Sequence, residues 1–473
     1  REKSMFDFQK IRKITPVLWE IPRSFRDDMR VPARFYSHEA MLHEVGADRA
    51  LEQLVNVATL PGIQGWALAM PDMHEGYGFP IGGVAAFDRQ EGIISPGGIG
   101  YDINCGVRLL RTGFAKEEIK DFLRDVGRTI FSHVPSGVGR GGKLSLRRGQ
   151  DFDAVLLLGA RRMLELGYGI EEDLAHIESG GKLEGAQPAL VSEHAKYRGR
   201  DQLGTMGAGN HFVEVGYVET IFDAAAAQDL HLAQGQVTVL IHTGSRGLGH
   251  QVATDYIRLM NRVMENYGIH LPDRELACVP FSSKEGQEYF AAMQAAANFA
   301  WANRQLVTCE VREAFQRVFG QETPELSVVY DVAHNIAKVE EYEIKGVRKE
   351  VIVHRKGATR AFPGQPVLIP GSMGTASYVL LGQEASLVQS FGSSCHGAGR
   401  RMSRTRARRQ TSAALLREDL SAQGIVINSG SKRGLAEEAP FAYKDIDDVV
   451  DVIHEAGIAK KVARLRPLAV IKG

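Results

Sequence analysis

Short apolar runs punctuated by glycine and polar residues recur along this chain, and only a few stretches carry the longer period of a helix. After a helix-like run over residues 47–60, residues 66–70, 83–87 and 107–111 read as strands. Residues 115–200 turn more polar and helical. Within them, residues 155–166 are apolar enough for a buried helix, and residues 135–148 form a loop rich in Gly and Arg. Val237-Thr-Val-Leu-Ile241 is a strong β run that delivers His242 at its end, and residues 283–319 read as one or two long helices rich in Ala, Gln and Glu. Residues 326–330 form a further strand, with His334 four residues on. Strands at 425–428 and 468–471 and a helix at 445–459 complete the pattern, with no fixed repeat, heptad or low-complexity tract. The chain is therefore predicted to be α+β: one large mixed-sheet domain over residues 6–473, with a mostly helical insertion at about 115–200. Residues 1–5, charged and unpatterned, fit an expression scar before a start at Met5.

Composition narrows this little. The chain has 473 residues, enough for a large core, and its 44% hydrophobic and 24% charged content is ordinary for a globular protein. Net charge is zero, so a nucleic-acid partner must be met by a local patch rather than a global field. The four cysteines, Cys105, Cys278, Cys309 and Cys395, form no CxxC pair. Free thiols in a reducing compartment, hence a cytoplasmic location, fit better than disulfides. No apolar run approaches the ~20 residues of a membrane span, so no membrane partner is expected.

Candidate chemistry changes the picture most. Pro96-Gly-Gly-Ile-Gly-Tyr-Asp-Ile-Asn-Cys-Gly-Val-Arg108 sets Asp102 and Cys105 among four glycines, a frame too flexible for a core strand. Gly207-Ala-Gly-Asn-His211, His242-Thr-Gly-Ser-Arg246 and Asp331-Val-Ala-His-Asn335 have the same character. Asp102, Cys105, His211, His242 and His334 are carboxylate, thiolate and imidazole donors, too many for one four-coordinate structural site. Since a thiolate can bridge two ions, they suggest a dinuclear centre. Softness alone points to zinc, whereas the carboxylate and open positions admit manganese or iron. In Ser393-Ser-Cys-His-Gly-Ala-Gly-Arg400, a His precedes a Gly-Ala-Gly turn whose backbone N–H groups could cradle phosphate. His396 could act as a nucleophile on phosphorus. Six arginines lie within residues 400–409; they repel one another unless anions lie nearby, and Arg400, Arg404 and Arg408 would share a helix face. Pro370-Gly-Ser-Met373 with Ser377, and His354-Arg-Lys-Gly-Ala-Thr-Arg360, are turns that ordinary turn chemistry explains equally well.

Together these segments resemble the RtcB family of RNA ligases. The matching pieces are Pro71-Asp-Met-His-Glu-Gly-Tyr-Gly-Phe-Pro-Ile-Gly-Gly83, Tyr101 to Arg108, Gly207 to Val215, His242 to Gly249, His354 to Arg360, Pro370 to Met373 and Ser394 to Arg400, in family order. The resemblance implies two Mn²⁺ ions, one on Asp102, Cys105 and His211, the other on Cys105, His242 and His334. It implies GTP as the nucleotide and His396 as the residue that takes GMP. It implies a guanylate pocket of Asn210, His211, Phe212, Val213, Glu214, His334, Asn335, Pro370, Gly371, Ser372, Met373, Ser377, His396, Gly397, Ala398, Gly399, Tyr443 and Lys472. Lys356, Arg400 and Arg404 would meet RNA phosphates. The implied reaction joins RNA 3′-phosphate or 2′,3′-cyclic phosphate ends to 5′-hydroxyl ends, in tRNA splicing or RNA repair, with archease as an activating partner of some members. Two readings compete: a dinuclear metal-dependent phosphodiesterase or nuclease, and an RNA-binding protein with a structural metal.

Overall fold

A computed structural model describes residues 10–46, 48–137, 141–142, 150–321 and 323–473. The expected scar at residues 1–5, the helix start at Ala47 and most of the loop 135–148 lie outside the described residues. The protein is α+β, as its pattern predicts, and its strands gather mainly into two mixed sheets.

The first sheet has seven strands in the order Arg12–Lys13, Leu18–Ile21, Ala33–Tyr36, Ala67–His74, Ile81–Asp88, Val347–Lys356 and Asn335–Ile344. The second runs Ser327–Ala333, Gly106–Ala115, Gln236–Thr243, Phe212–Ile221, Ala459–Lys472, Ser377–Gly382 and Pro366–Ile369, with Val426–Ser429 added in parallel to Ala459–Lys472. Strand Ser327–Ala333 ends the second sheet on one side, and after the single residue His334 the chain enters Asn335–Ile344, an edge of the first. A short ribbon pairs Ala358–Arg360 with Ser393–Cys395 and releases the chain at His396.

The helix Lys284–Phe319 is buried along most of its length and carries polar as well as apolar side chains into the interior. Its central Arg304 is fully buried. Both Nε and Nη2 donate to the Asp331 carboxylate at 2.9 Å, and Nη1 donates to the carbonyls of Asn104 (2.8 Å) and Thr243 (2.9 Å). Arg108, also fully buried, donates to the same Asp331 at 2.8 Å. A buried ion pair contributes only when every donor and acceptor is met, and here bonds to four segments largely achieve this.

Several elements differ from expectation. Residues 155–166 are not one helix: Gln150–Leu158 and Ala160–Glu165 are separated by Gly159, which takes φ 56° and where a Cβ would lie 2.2 Å from the Gly181 carbonyl oxygen. The helix expected over 445–459 is Ile446–Glu455, because Gly457 takes φ 70° and Ala459 opens a 14-residue strand. Between Ala115 and Phe212 the described elements are helices and 3₁₀ turns.

Candidate active site

Strand ends bring the candidate donors together. Cys105 follows a turn closed by its own N–H donating to the Asp102 carbonyl at 2.9 Å, and Asn104 takes the left-handed φ of 51° that asparagine tolerates best after glycine. His242 lies inside strand Gln236–Thr243, opposite Val107 on one side and Phe212 on the other. His334 is tied to the cysteine by its N–H donating to the Cys105 carbonyl at 2.9 Å. Cys105 Sγ then lies 3.3 Å from both His211 Nε2 and His242 Nε2; His242 Nε2 lies 3.4 Å from His334 Nε2, and His211 Nε2 lies 2.9 Å from Asp102 Oδ2. Gly244 is required here, since a Cβ would fall 2.5 Å from Asp102 Oδ1.

This donor set fits metal ions. Donors about 2.0–2.3 Å from one tetrahedral ion lie about 3.3–3.7 Å from each other, the spacing seen around Cys105. Burial, with the neighbouring histidines, pushes His242 and His334 well below the usual imidazole range, which leaves neutral rings able to coordinate. Burial and the adjacent Asp102 push the Cys105 thiol up, a proton that a bound cation would displace. Burial alone would raise Asp102, but His211 and Arg246 outweigh it and hold the carboxyl below its usual range. His211 Nδ1 is contested between the Met206 carbonyl (3.0 Å), which needs an N–H, and the Arg246 guanidinium (2.9 Å), which needs a lone pair. A cation at Nε2 selects the first.

His396 stands beside this cluster, its ring centroid 4.9 Å from that of His334. Asp72, fully buried, accepts from the His396 backbone N–H at 3.1 Å and lies 2.5 Å from Nδ1. An Nδ1–H donated to this carboxylate leaves the Nε2 lone pair for chemistry. Lys444 braces the acid from behind by donating to the carbonyls of Pro71 (2.9 Å) and Met73 (2.7 Å). Gly399, at φ 73°, is dictated by contact, since a Cβ would lie 2.0 Å from the Asp72 carbonyl oxygen.

A cavity of about 710 Å³ opens next to His396. Its lining includes Asn210, Phe212, His242, Pro370, Gly371, Ser372, Met373, the stretch 396–404, Arg406, Tyr443 and Lys472. His211, Val213, Glu214, His334, Asn335 and Ser377 do not line it. Ser377 Oγ accepts from Gly371 N–H at 3.1 Å, and Asn335 bridges the Asp102 carbonyl (3.0 Å) and Gly357 N–H (2.8 Å). Glu214 is buried in strand Phe212–Ile221, and burial, partly offset by Lys472, raises its carboxyl to about 8. Lys356 departs furthest from its expected place: its buried ammonium donates to the Tyr77 and Phe79 carbonyls, and burial lowers its pKa to about 7. The anions that quiet the arginines are carboxylates of the chain itself. Glu438, 1% exposed, accepts from Arg400 Nη1 (3.2 Å), Arg404 Nε (2.9 Å) and Tyr443 Oη, and Glu437 meets Arg408 at 3.3 Å. The helix is Arg404–Gln410, so Arg400 precedes it, and the expected shared face is reduced to Arg404 and Arg408.

Asp72, Arg246, Glu438 and Lys444 carry much of this arrangement and were not singled out by sequence reasoning. Asp72 and Arg246 do sit inside quoted motifs; nothing local marks Glu438 or Lys444.

A family model described as tRNA-splicing ligase RtcB matches residues 53–473. The chain belongs to this family. Proteins named tRNA-splicing ligase RtcB include one from Thermococcus kodakarensis, 54% identical over 99% of this chain and 100% of its own length. Others come from Archaeoglobus fulgidus (53% identical; 98% and 99% covered) and Methanococcus maripaludis (50% identical; 98% and 99% covered). Among the described residues, no helix is long and apolar enough to cross a membrane.

Proposed function

We propose that the chain is a GTP-dependent RNA ligase of tRNA splicing or repair, joining 3′-phosphate or 2′,3′-cyclic phosphate ends to 5′-hydroxyl ends. Membership of the RtcB family, with relatives named tRNA-splicing ligases, supports the RNA-ligase class. The observation that carries the finer reading is the position of His396, between a five-donor cluster and a nucleotide-sized cavity, with Asp72 holding Nδ1. His396 Nε2 attacks the α-phosphorus of GTP; the P–N bond forms as the bond to pyrophosphate breaks. Where the end is a 2′,3′-cyclic phosphate, water first breaks its P–O2′ bond to give the 3′-phosphate; a 3′-phosphate oxygen then displaces the histidine, giving an RNA-ppG end, and the 5′-hydroxyl attacks the 3′-phosphorus and releases GMP. Asp102, Cys105 and His211 would hold one Mn²⁺, and Cys105, His242 and His334 a second. Such ions supply charge neutralisation at phosphorus. Arg400 and Arg404 face the cavity and suit RNA phosphates; Lys356, occupied by two carbonyls, is left out of this role.

Peptide mass spectrometry after incubation with GTP and Mn²⁺ tests the reading. A GMP-sized gain on the His396 peptide is expected, dependent on both GTP and metal and absent in His396→Ala, whose metal content stays intact. No gain with metals bound and archease added would overturn it in favour of a metal-dependent phosphodiesterase.

A further inference from the structure

A second group of metal-type side chains lies outside the site described above. His133 ends the helix Leu123–His133, and Glu310 and Glu313 lie on the long helix Lys284–Phe319 packed against it. The i, i+3 spacing sets both carboxylates on one helix face. Donor atoms of all three residues lie within 4.8 Å of one another; His133 and Glu310 are buried and Glu313 is exposed.

The imidazole points to a cation. His133 Nδ1 lies 2.9 Å from the Thr129 carbonyl, which can only accept, so Nδ1 carries the hydrogen. Nε2 is then a lone pair. It is buried on a side chain that is 4% exposed, and among the described residues it has no hydrogen-bond partner. A buried acceptor left unmet is costly, and one imidazole with two carboxylates is a common donor set for divalent transition metals. The carbonyl on the far nitrogen is the partner that orients metal-binding histidines.

We propose that His133, Glu310 and Glu313 bind a divalent transition metal ion, separate from the Cys105 cluster, and that it fastens the two helices together. The ion would also steady the neighbouring segment. Two residues beyond His133, the Pro135 carbonyl accepts from Met206 N–H at 3.0 Å, and Gly137 N–H donates to the Gly207 carbonyl at 2.9 Å. Met206 is the residue whose carbonyl meets His211 Nδ1. The proposal does not depend on the ligase reading.

The test counts metal in full-length protein carrying Cys105→Ala, which removes the shared donor of the other cluster. Demetallated protein is dialysed against Mn²⁺ or Zn²⁺ and analysed by plasma mass spectrometry. Cys105→Ala is expected to retain about one equivalent of metal, and Cys105→Ala/His133→Ala and Cys105→Ala/Glu313→Gln to lose it. Added metal should raise the melting temperature of Cys105→Ala and leave that of Cys105→Ala/Glu313→Gln unmoved. Glu313 is exposed, so its variant keeps the test valid should His133→Ala fail to fold. Equal metal content in Cys105→Ala and Cys105→Ala/Glu313→Gln overturns the proposal, as does metal-free Cys105→Ala.

Discussion

The Cys105 cluster and the arginine turn flank one cavity but are built on opposite plans. The cluster's donors sit on strands and strand ends of the second sheet, braced from beneath by a buried guanidinium that bonds two of those segments and Asp331. The arginines sit on a turn and a seven-residue helix, and Glu438 and Glu437 meet the charge of Arg400, Arg404 and Arg408. The first arrangement holds its donors in place without the ligand. The second is preoccupied: an incoming phosphate has to share or displace a carboxylate. Rigid donors suit an ion with narrow distance tolerance, and exchangeable pairs suit a long, variable polyanion.

The comparison breaks most sharply at Arg304. Replacing it by Met leaves buried Asp331 with Arg108 alone and frees the Asn104 and Thr243 carbonyls. A stability loss of about 3–5 kcal/mol is expected, as for other broken buried pairs. Urea denaturation and metal analysis check this; a loss below about 1 kcal/mol with full metal content would show that the cluster does not need its brace. On the other side, Glu438→Gln keeps the shape and removes the charge that quiets Arg400 and Arg404. Affinity for a 3′-phosphorylated RNA should rise several-fold at low salt, and the salt slope should steepen by about 0.7 per freed charge. Fluorescence anisotropy across a salt series measures both, and an unchanged slope refutes the preoccupied-arginine view. The smallest effect is at Glu214, which shares the influence of Lys472 with Glu438. Its folded carboxyl, raised to about 8, keeps a proton that the unfolded chain has already released at lower pH. Stability should therefore fall as pH rises from the ordinary carboxylate range through about 8. Glu214→Gln should flatten that decline in melting temperature; an unaltered decline assigns it to another group.

What the sequence revealed follows the range of the interactions concerned. Donor-bearing motifs were legible because each packs its chemistry within a few residues: Asp102 with Cys105, His242 with Arg246, His396 with its Gly-Ala-Gly turn. The strands that deliver them were legible where burial on both faces makes a continuous apolar run, as at Val237 to Ile241. Asn335–Ile344 and Val347–Lys356 were not, because they carry Glu, Lys and Arg at alternate and adjacent positions and pair through a turn at Lys345-Gly346. Long-range partners were the other blind spot. Asp72 reaches His396 across 324 residues, and Glu438 meets arginines 34 and 38 residues away. Six arginines in ten residues implied nearby anions; for four of them the chain itself supplies a carboxylate, which no local pattern announced. At Lys356 the basic loop in sequence gave no sign that the ammonium would turn inward onto two carbonyls.

The one-residue passage at His334 makes the site a gauge of the angle between the two sheets. Ala333 is hydrogen-bonded into one sheet and Asn335 into the other, while the imidazole between them must meet His242, which belongs wholly to the first of these. Any relative rotation of the sheets would separate those two rings directly, and close-packed interiors do not absorb such shifts gradually. An opening of the cavity that preserves the His242–His334 contact has therefore to come from the arginine side.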